Sequence, residues 1–117
     1  MKPHVLLVED DPFYIKSYSY WLSFRYRVTV VVSKNGALYQ CSIHDDLAAI
    51  ILDACLDSYW VNTDDMPQRF REAGYQGPII ANHRYGEFRR ILMESGCTHW
   101  CFKEDLAALL DKVVTLP

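Results

Sequence analysis

Val5-Leu6-Leu7-Val8-Glu9-Asp10-Asp11-Pro12 runs four apolar residues directly into three acids and a proline. An unbroken apolar run reads as a strand covered on both faces, because a strand with one wet face would alternate. Residues 4–9 are the expected strand. Pro12 suits the first turn of a following helix, where its missing N–H breaks no bond. A second run, Leu47 to Leu52, ends in Asp53. Open parallel sheets bind ligands at the carboxyl ends of their strands, so acids at both ends mark a candidate site.

Outward from these two runs, strands and helices alternate. A helix is expected from Pro12 to about Phe24, with Ile15, Tyr18 and Leu22 inward and an unusually aromatic remainder. Val28 to Val32 reads as a β-branched strand. Asn35-Gly36 reads as a turn, followed by a short helix over 37–43. Beyond Asp53 a loop runs to Thr63, the expected cap of a helix with Met66, Phe70 and Ala73 on one face and Gly74 at its end. Pro78 to Ala81, a helix over 86–94, Thr98 to Phe102 and a helix on Leu106, Leu109, Leu110, Val113 and Val114 complete the series. Five β-α units predict an α/β fold, a doubly wound parallel sheet with helices on both faces and right-handed crossovers. No repeat or linker divides residues 1–117, so one domain is expected.

With 117 residues, half of them apolar, the chain is long enough for one core. A net charge of -3 offers no global attraction for nucleic acid or an anionic membrane. No apolar run approaches membrane-spanning length, and Met1 to Val5 opens no signal-peptide stretch, so a cytoplasmic protein is expected. Cys41, Cys55, Cys97 and Cys101 show no CxxC spacing. Cys97, His99 and Cys101 lack a fourth zinc ligand in the local pattern, and buried thiols are the simpler reading.

If strands one and three are neighbours, Glu9, Asp10 and Asp53 share one depression. Three carboxylates there repel, and a divalent cation offsets the repulsion. Mg²⁺ fits, since it takes hard oxygen ligands and keeps part of its water shell. A carboxylate left beside the ion can accept a phosphoryl group. Lys103, after the fifth strand, lies at the same sheet edge and can pair with Asp53 or with phosphoryl oxygens.

At these residues the chain resembles the receiver domain of two-component response regulators, a CheY-like family, over almost its whole length. The matching segments are Val5 to Pro12, Ile50 to Asp53, Gly77 to Ala81 and Gly96 to Lys103. The resemblance implies a five-stranded (βα)5 flavodoxin-like sheet of order 2-1-3-4-5. It implies Mg²⁺ held by Glu9, Asp10, Asp53 and the backbone carbonyl of Cys55. Asp53 would take the phosphoryl group from a sensor histidine kinase or phosphotransfer protein, assisted by Lys103. Trp100 stands at the switch aromatic position. Output would pass to a protein partner through the face of helix four, strand five and helix five, with a homodimer open and no direct nucleic-acid or membrane contact. Catalysis would be limited to self-phosphorylation and autodephosphorylation.

The chain also departs from that family. His83, or Asn82 on a shorter strand, stands where the family has Thr or Ser. Glu104 replaces the proline after the lysine, so a trans bond is expected there. The loop Ala54 to Ser58 lacks the usual proline and glycine-rich turn, and its Asp57 is a competing carboxylate. Arg84, Arg89 and Arg90 read as a solvated basic face. These departures motivate an alternative, a receiver-like binding module that works without phosphate. A flavin or nucleotide binder on the same architecture is disfavoured, because acids rather than an anion-binding loop follow strand one.

Overall fold

The computed structural model describes residues 1–114; the last three positions of the expected 1–117 domain lie outside the described residues. The elements are β1 (His4–Val8), α1 (Pro12–Leu22), β2 (Arg27–Val31), α2 (Lys34–Ile43), β3 (Leu47–Leu52), α3 (Met66–Glu72), β4 (Ile79–Asn82), α4 (Gly86–Glu94), β5 (His99–Cys101), a 3-10 turn (Lys103–Asp105) and α5 (Leu106–Val113). The five strands form one sheet of order β2-β1-β3-β4-β5, all pairs parallel.

The period of two along each strand divides the core. Leu6, Val8, Ile50, Leu52, Ile79 and Ala81 face one side, against Ala37 and Cys41 of α2, Met66 and Phe70 of α3, and Phe88 and Leu92 of α4. Val5, Leu7, Ala49, Ile51 and Ile80 face the other, against Tyr18 and Leu22 of α1 and Leu106 and Leu110 of α5. Each face buries several large side chains, at about 1.5–3 kcal/mol apiece. That is why β1 and β3 carry continuous apolar runs.

Local chemistry moves some boundaries. The Asn35-Gly36 pair is not a turn before the second helix but lies in its first turn. Ser33 is the N-cap, and its hydroxyl accepts the Gly36 N–H at 3.0 Å. Asp11 caps α1 by accepting from Phe13 N–H, with Pro12 at the first helical position. Within α1, Ile15 is only half-buried, and Tyr18 with Leu22 forms the buried stripe. Thr63 does not cap α3; its side chain is turned to the strand end described below. Ala73 is exposed, and the buried residues of α3 are Met66, Pro67 and Phe70. Gly74 and Gly96, at φ of 101° and 118°, end α3 and α4 in the left-handed region that glycine enters without a steric cost.

Candidate functional site

The parallel ladders continue one residue beyond β1 and β3. Glu9 N–H donates to Val31 O and Asp53 N–H donates to Val8 O, each at 3.0 Å. These bonds hold the first residue after each strand in register, so Glu9 and Asp53 sit side by side at the carboxyl edge. One carboxylate oxygen from each of Glu9, Asp10 and Asp53 lies within 4.8 Å of the others. Lys103, just after β5, brings its ammonium to 2.6 Å from Glu9 Oε1 and 3.7 Å from Asp53 Oδ1. A cleft of about 160 Å³ opens over them, lined also by Asp11, Tyr14, His83 and Arg84.

Glu9, Asp53 and Lys103 are buried, and Asp10 is half-buried. Three carboxylates face one ammonium. Burial pushes the Asp53 carboxyl well above its ordinary range; Lys103 opposes the rise and Glu9 adds to it. A further divalent positive charge would balance the set and favour the ionised form.

The donor chemistry fits Mg²⁺. Three carboxylates converge, and the turn after Asp53 leaves the Cys55 carbonyl without a donor among the described residues. Thr63 Oγ1 lies 2.7 Å from Asp53 O and 3.1 Å from Ala54 O, and Asn62 N–H also donates to Ala54 O. Asn62 Nδ2 donates to Leu56 O, while its Oδ1 accepts from Leu56 N–H. Among the described residues no donor takes the Cys55 carbonyl between them. Asp57 stands apart from Asp53: it is exposed, its carboxylate lies outside the oxygen cluster, and its backbone N–H donates to Asp10 Oδ2. This bond accompanies a left-handed backbone at Asp57, φ 50°.

Two of the α1 aromatics, Tyr14 and Tyr18, reach the site. Lys103 Nζ lies 4.3 Å from the Tyr14 ring centre and 5.9 Å from that of Tyr18. The Tyr18 hydroxyl donates to Lys103 O at 2.9 Å and meets Asn82 Oδ1 at 3.2 Å. Asn82 is thereby buried beneath the site, whereas His83 lines the cleft. In the sequence Tyr18 reads as a core residue and neither it nor Tyr14 as part of the site, although their spacing of four after the acid turn places them on one helix face. Thr63 was assigned to capping instead. Lys103 reaches the carboxylates across a trans Lys103–Glu104 bond, with the chain turning at once into the 3-10 segment.

His83 Nδ1 accepts the Tyr85 N–H at 3.0 Å, so the neutral ring carries its proton on Nε2. Burial, together with Lys103, Arg84 and Arg89, lowers its pKa to about 4. The ring therefore offers one N–H donor near neutrality.

The three arginines are not one solvated face. Arg84 lines the acid cleft, and Arg90 pairs with Glu94 in solvent. Arg89 is buried, with its guanidinium 4.8 Å from the Trp100 ring centre and 4.7 Å from that of Phe102. One of its nitrogens donates to His83 O at 2.6 Å. Trp100 and Phe102 are each about half-exposed on the α4-β5-α5 face.

No protein-family model and no curated protein matches the sequence. Solved structures do match. The receiver domain of a sensor histidine kinase from Pseudomonas aeruginosa, with a magnesium ion coordinated in its active-site cleft, is 24% identical with a TM-score of 0.81, over 97% of this chain and 98% of that one. Chemotaxis protein CheY4 of Vibrio cholerae is 18% identical with a TM-score of 0.77, over 97% and 100%. A CheY-like receiver domain from Methanospirillum hungatei is 15% identical with a TM-score of 0.79, over 96% and 93%. The shared property is the fold: five parallel strands in the order 2-1-3-4-5 between alternating helices.

Proposed function

We propose that this chain, which has the CheY-like receiver fold, is a phosphoacceptor receiver that takes a phosphoryl group on Asp53. The observation that carries the reading is the convergence of Glu9, Asp10 and Asp53 with the Lys103 ammonium in one cleft. Asp53 Oδ1 is engaged by Ala54 N–H at 2.9 Å and faces Lys103. Oδ2 has no donor among the described residues and is the attacking oxygen. It forms a bond to phosphorus as the bond from phosphorus to the donor's imidazole nitrogen breaks. The leaving imidazole keeps that electron pair.

Mg²⁺, held by Glu9, Asp10, Asp53 and the Cys55 carbonyl, would supply charge neutralisation on the phosphoryl oxygens. Lys103 stabilises the same developing charge from the other side. His83 donates its Nε2–H to a phosphoryl oxygen, the part played by a hydroxyl in the family the sequence resembles. Arg89 links the His83 carbonyl to Trp100 and Phe102, which gives the site a route to the α4-β5-α5 surface. The phosphoryl donor would be a sensor histidine kinase or phosphotransfer protein, and a partner would read that surface. A cytoplasmic setting belongs to the same proposal.

The test is incubation with acetyl phosphate and MgCl₂, followed by intact mass measurement. The expected result is one added phosphoryl group that requires Mg²⁺ and persists in Asp57→Asn but not in Asp53→Asn. An adduct that survives Asp53→Asn would overturn the assignment. Absence of both adduct and Mg²⁺ binding would favour the phosphate-independent module.

A further inference from the structure

We infer that His4, His44 and Asp46 form a second cation site, specific for a divalent transition ion such as Zn²⁺, at the edge of the sheet opposite the acid cleft. His4 is the first residue of β1, His44 is the C-cap of α2, and Asp46 immediately precedes β3. One candidate ligand atom from each lies within 4.8 Å of the others. The two imidazole rings meet edge to face, 4.7 Å between centres. His4 Nδ1 and Asp46 Oδ1 are 2.9 Å apart. Two ligands on one tetrahedral ion with bonds of ~2.0–2.2 Å lie ~3.3–3.6 Å apart, so the pair opens by only a few tenths of an ångström to take an ion.

The second observation is the set of outer partners. His4 Nε2 is hydrogen-bonded to Thr29 Oγ1 at 2.7 Å, and His44 Nε2 to Gln40 Oε1 at 3.0 Å. Asp46 Oδ2 is held by Arg27. Every candidate ligand thus has its far atom fixed by a second residue, the arrangement that orients metal ligands. Because Gln40 presents an acceptor, His44 carries its proton on Nε2 and keeps the Nδ1 lone pair free. Ion entry at His4 Nδ1 moves the single proton of the neutral ring from Nδ1, where it is shared with Asp46 Oδ1, to Nε2, with no net proton release. The Thr29 hydroxyl then turns from donor to acceptor, so His4 Nε2 stays paired in both states.

Two imidazoles and a carboxylate select Zn²⁺, Ni²⁺ or Cu²⁺ over Mg²⁺, opposite to the all-oxygen cleft. The two sites lie at opposite ends of β1, a span of roughly 16 Å at ~3.3 Å per residue. Access exists on two sides: Asp46 is exposed, and His44 lines a cavity of about 560 Å³ between the ends of α2 and α3. A bound ion would tie β1, α2 and β3 together where the β1–β3 register shifts between His4 and Val5.

The experiment titrates the full chain with ZnCl₂ and CoCl₂ in saturating Mg²⁺, with folding followed by circular dichroism. His44→Ala and Asp46→Asn remove ligands at half-buried and exposed positions; His4 is spared because it is buried. Cys41→Ser and Asp53→Asn are the controls. The expected result is one Zn²⁺ per chain, bound at least ~10-fold more weakly by His44→Ala and by Asp46→Asn and unchanged in both controls. Bound Co²⁺ should show d–d bands without a thiolate charge-transfer band. Undiminished affinity in His44→Ala and Asp46→Asn, loss of binding in Cys41→Ser, or no saturable Zn²⁺ on the folded wild-type chain would each overturn the site.

Discussion

The Lys103 ammonium donates to Glu9 Oε1 at 2.6 Å, joining two buried residues 94 positions apart. Asp53, the carboxylate that the sequence pairs with this lysine, lies farther away at 3.7 Å. The ammonium is thus held primarily by a metal-ligand candidate and secondarily by the phosphoacceptor candidate.

Breaking that pair by Lys103→Met leaves Glu9 buried without its counter-charge. Urea denaturation in the absence of Mg²⁺ should show a loss of about 3–5 kcal/mol. The double change Glu9→Gln with Lys103→Met should cost less than the sum of the single changes, because it removes both charges together. Strict additivity would show that the two residues do not depend on each other.

Asp53 makes the metal-free chain sensitive to pH. Its folded pKa is raised, chiefly by burial. The stabilisation from its retained proton is complete below the unfolded carboxylate value of about 4 and is lost as pH rises toward the folded value. Thermal denaturation in EDTA should show stability falling across this window, with a smaller fall in Asp53→Asn. Mg²⁺ should stabilise the wild-type chain most at the upper end, where binding does not have to displace that proton. An identical pH slope in Asp53→Asn would remove Asp53 as the source.

His83 behaves in the opposite sense. Its folded pKa is lowered from 6.5 to about 4, burial being the first cause. The stability this represents is present above 6.5 and is lost as pH falls through about 4. Proton–nitrogen NMR should find a neutral ring protonated on Nε2 at neutral pH, with titration near the lower value. A cationic ring at neutral pH would contradict the donor assigned to the cleft.

Thr63 straps the turn that carries the site. Its hydroxyl reaches the carbonyls of Asp53 and Ala54 and is fully buried. Thr63→Val keeps the shape and removes the donor, at a cost of about 1–3 kcal/mol for the Asp53 carbonyl left unsatisfied, while Ala54 O keeps the Asn62 N–H. Mg²⁺ affinity, measured by calorimetry, should fall as well, because the Cys55 carbonyl loses its support. An unchanged Mg²⁺ affinity with the expected loss of stability would confine Thr63 to a structural role.

The fold is largely legible in the sequence. Val5 to Val8 and Leu47 to Leu52 carry their burial in their composition, and Pro12, Gly74 and Gly96 mark the helix ends. Where local patterns competed, the reading slipped. Asn35-Gly36 carries the signature of a turn, yet Ser33 recruits it into a helix by capping. Arg89 sits among two other arginines and looks solvated, but Trp100 and Phe102 cover it from another element.

The sequence by itself determined the architecture and the edge of the sheet at which the acids stand. Burial on two faces and termination by charge are local properties of a strand, written in consecutive residues. Tertiary structure alone decided that Lys103 binds Glu9 first, that Tyr14 and Tyr18 flank it, and that Thr63 braces the Asp53 turn. It alone brought His4 to His44 and Asp46 at the far edge. Long polar side chains take their partners from whichever distant elements exclude water around them, and that depends on how the layers close.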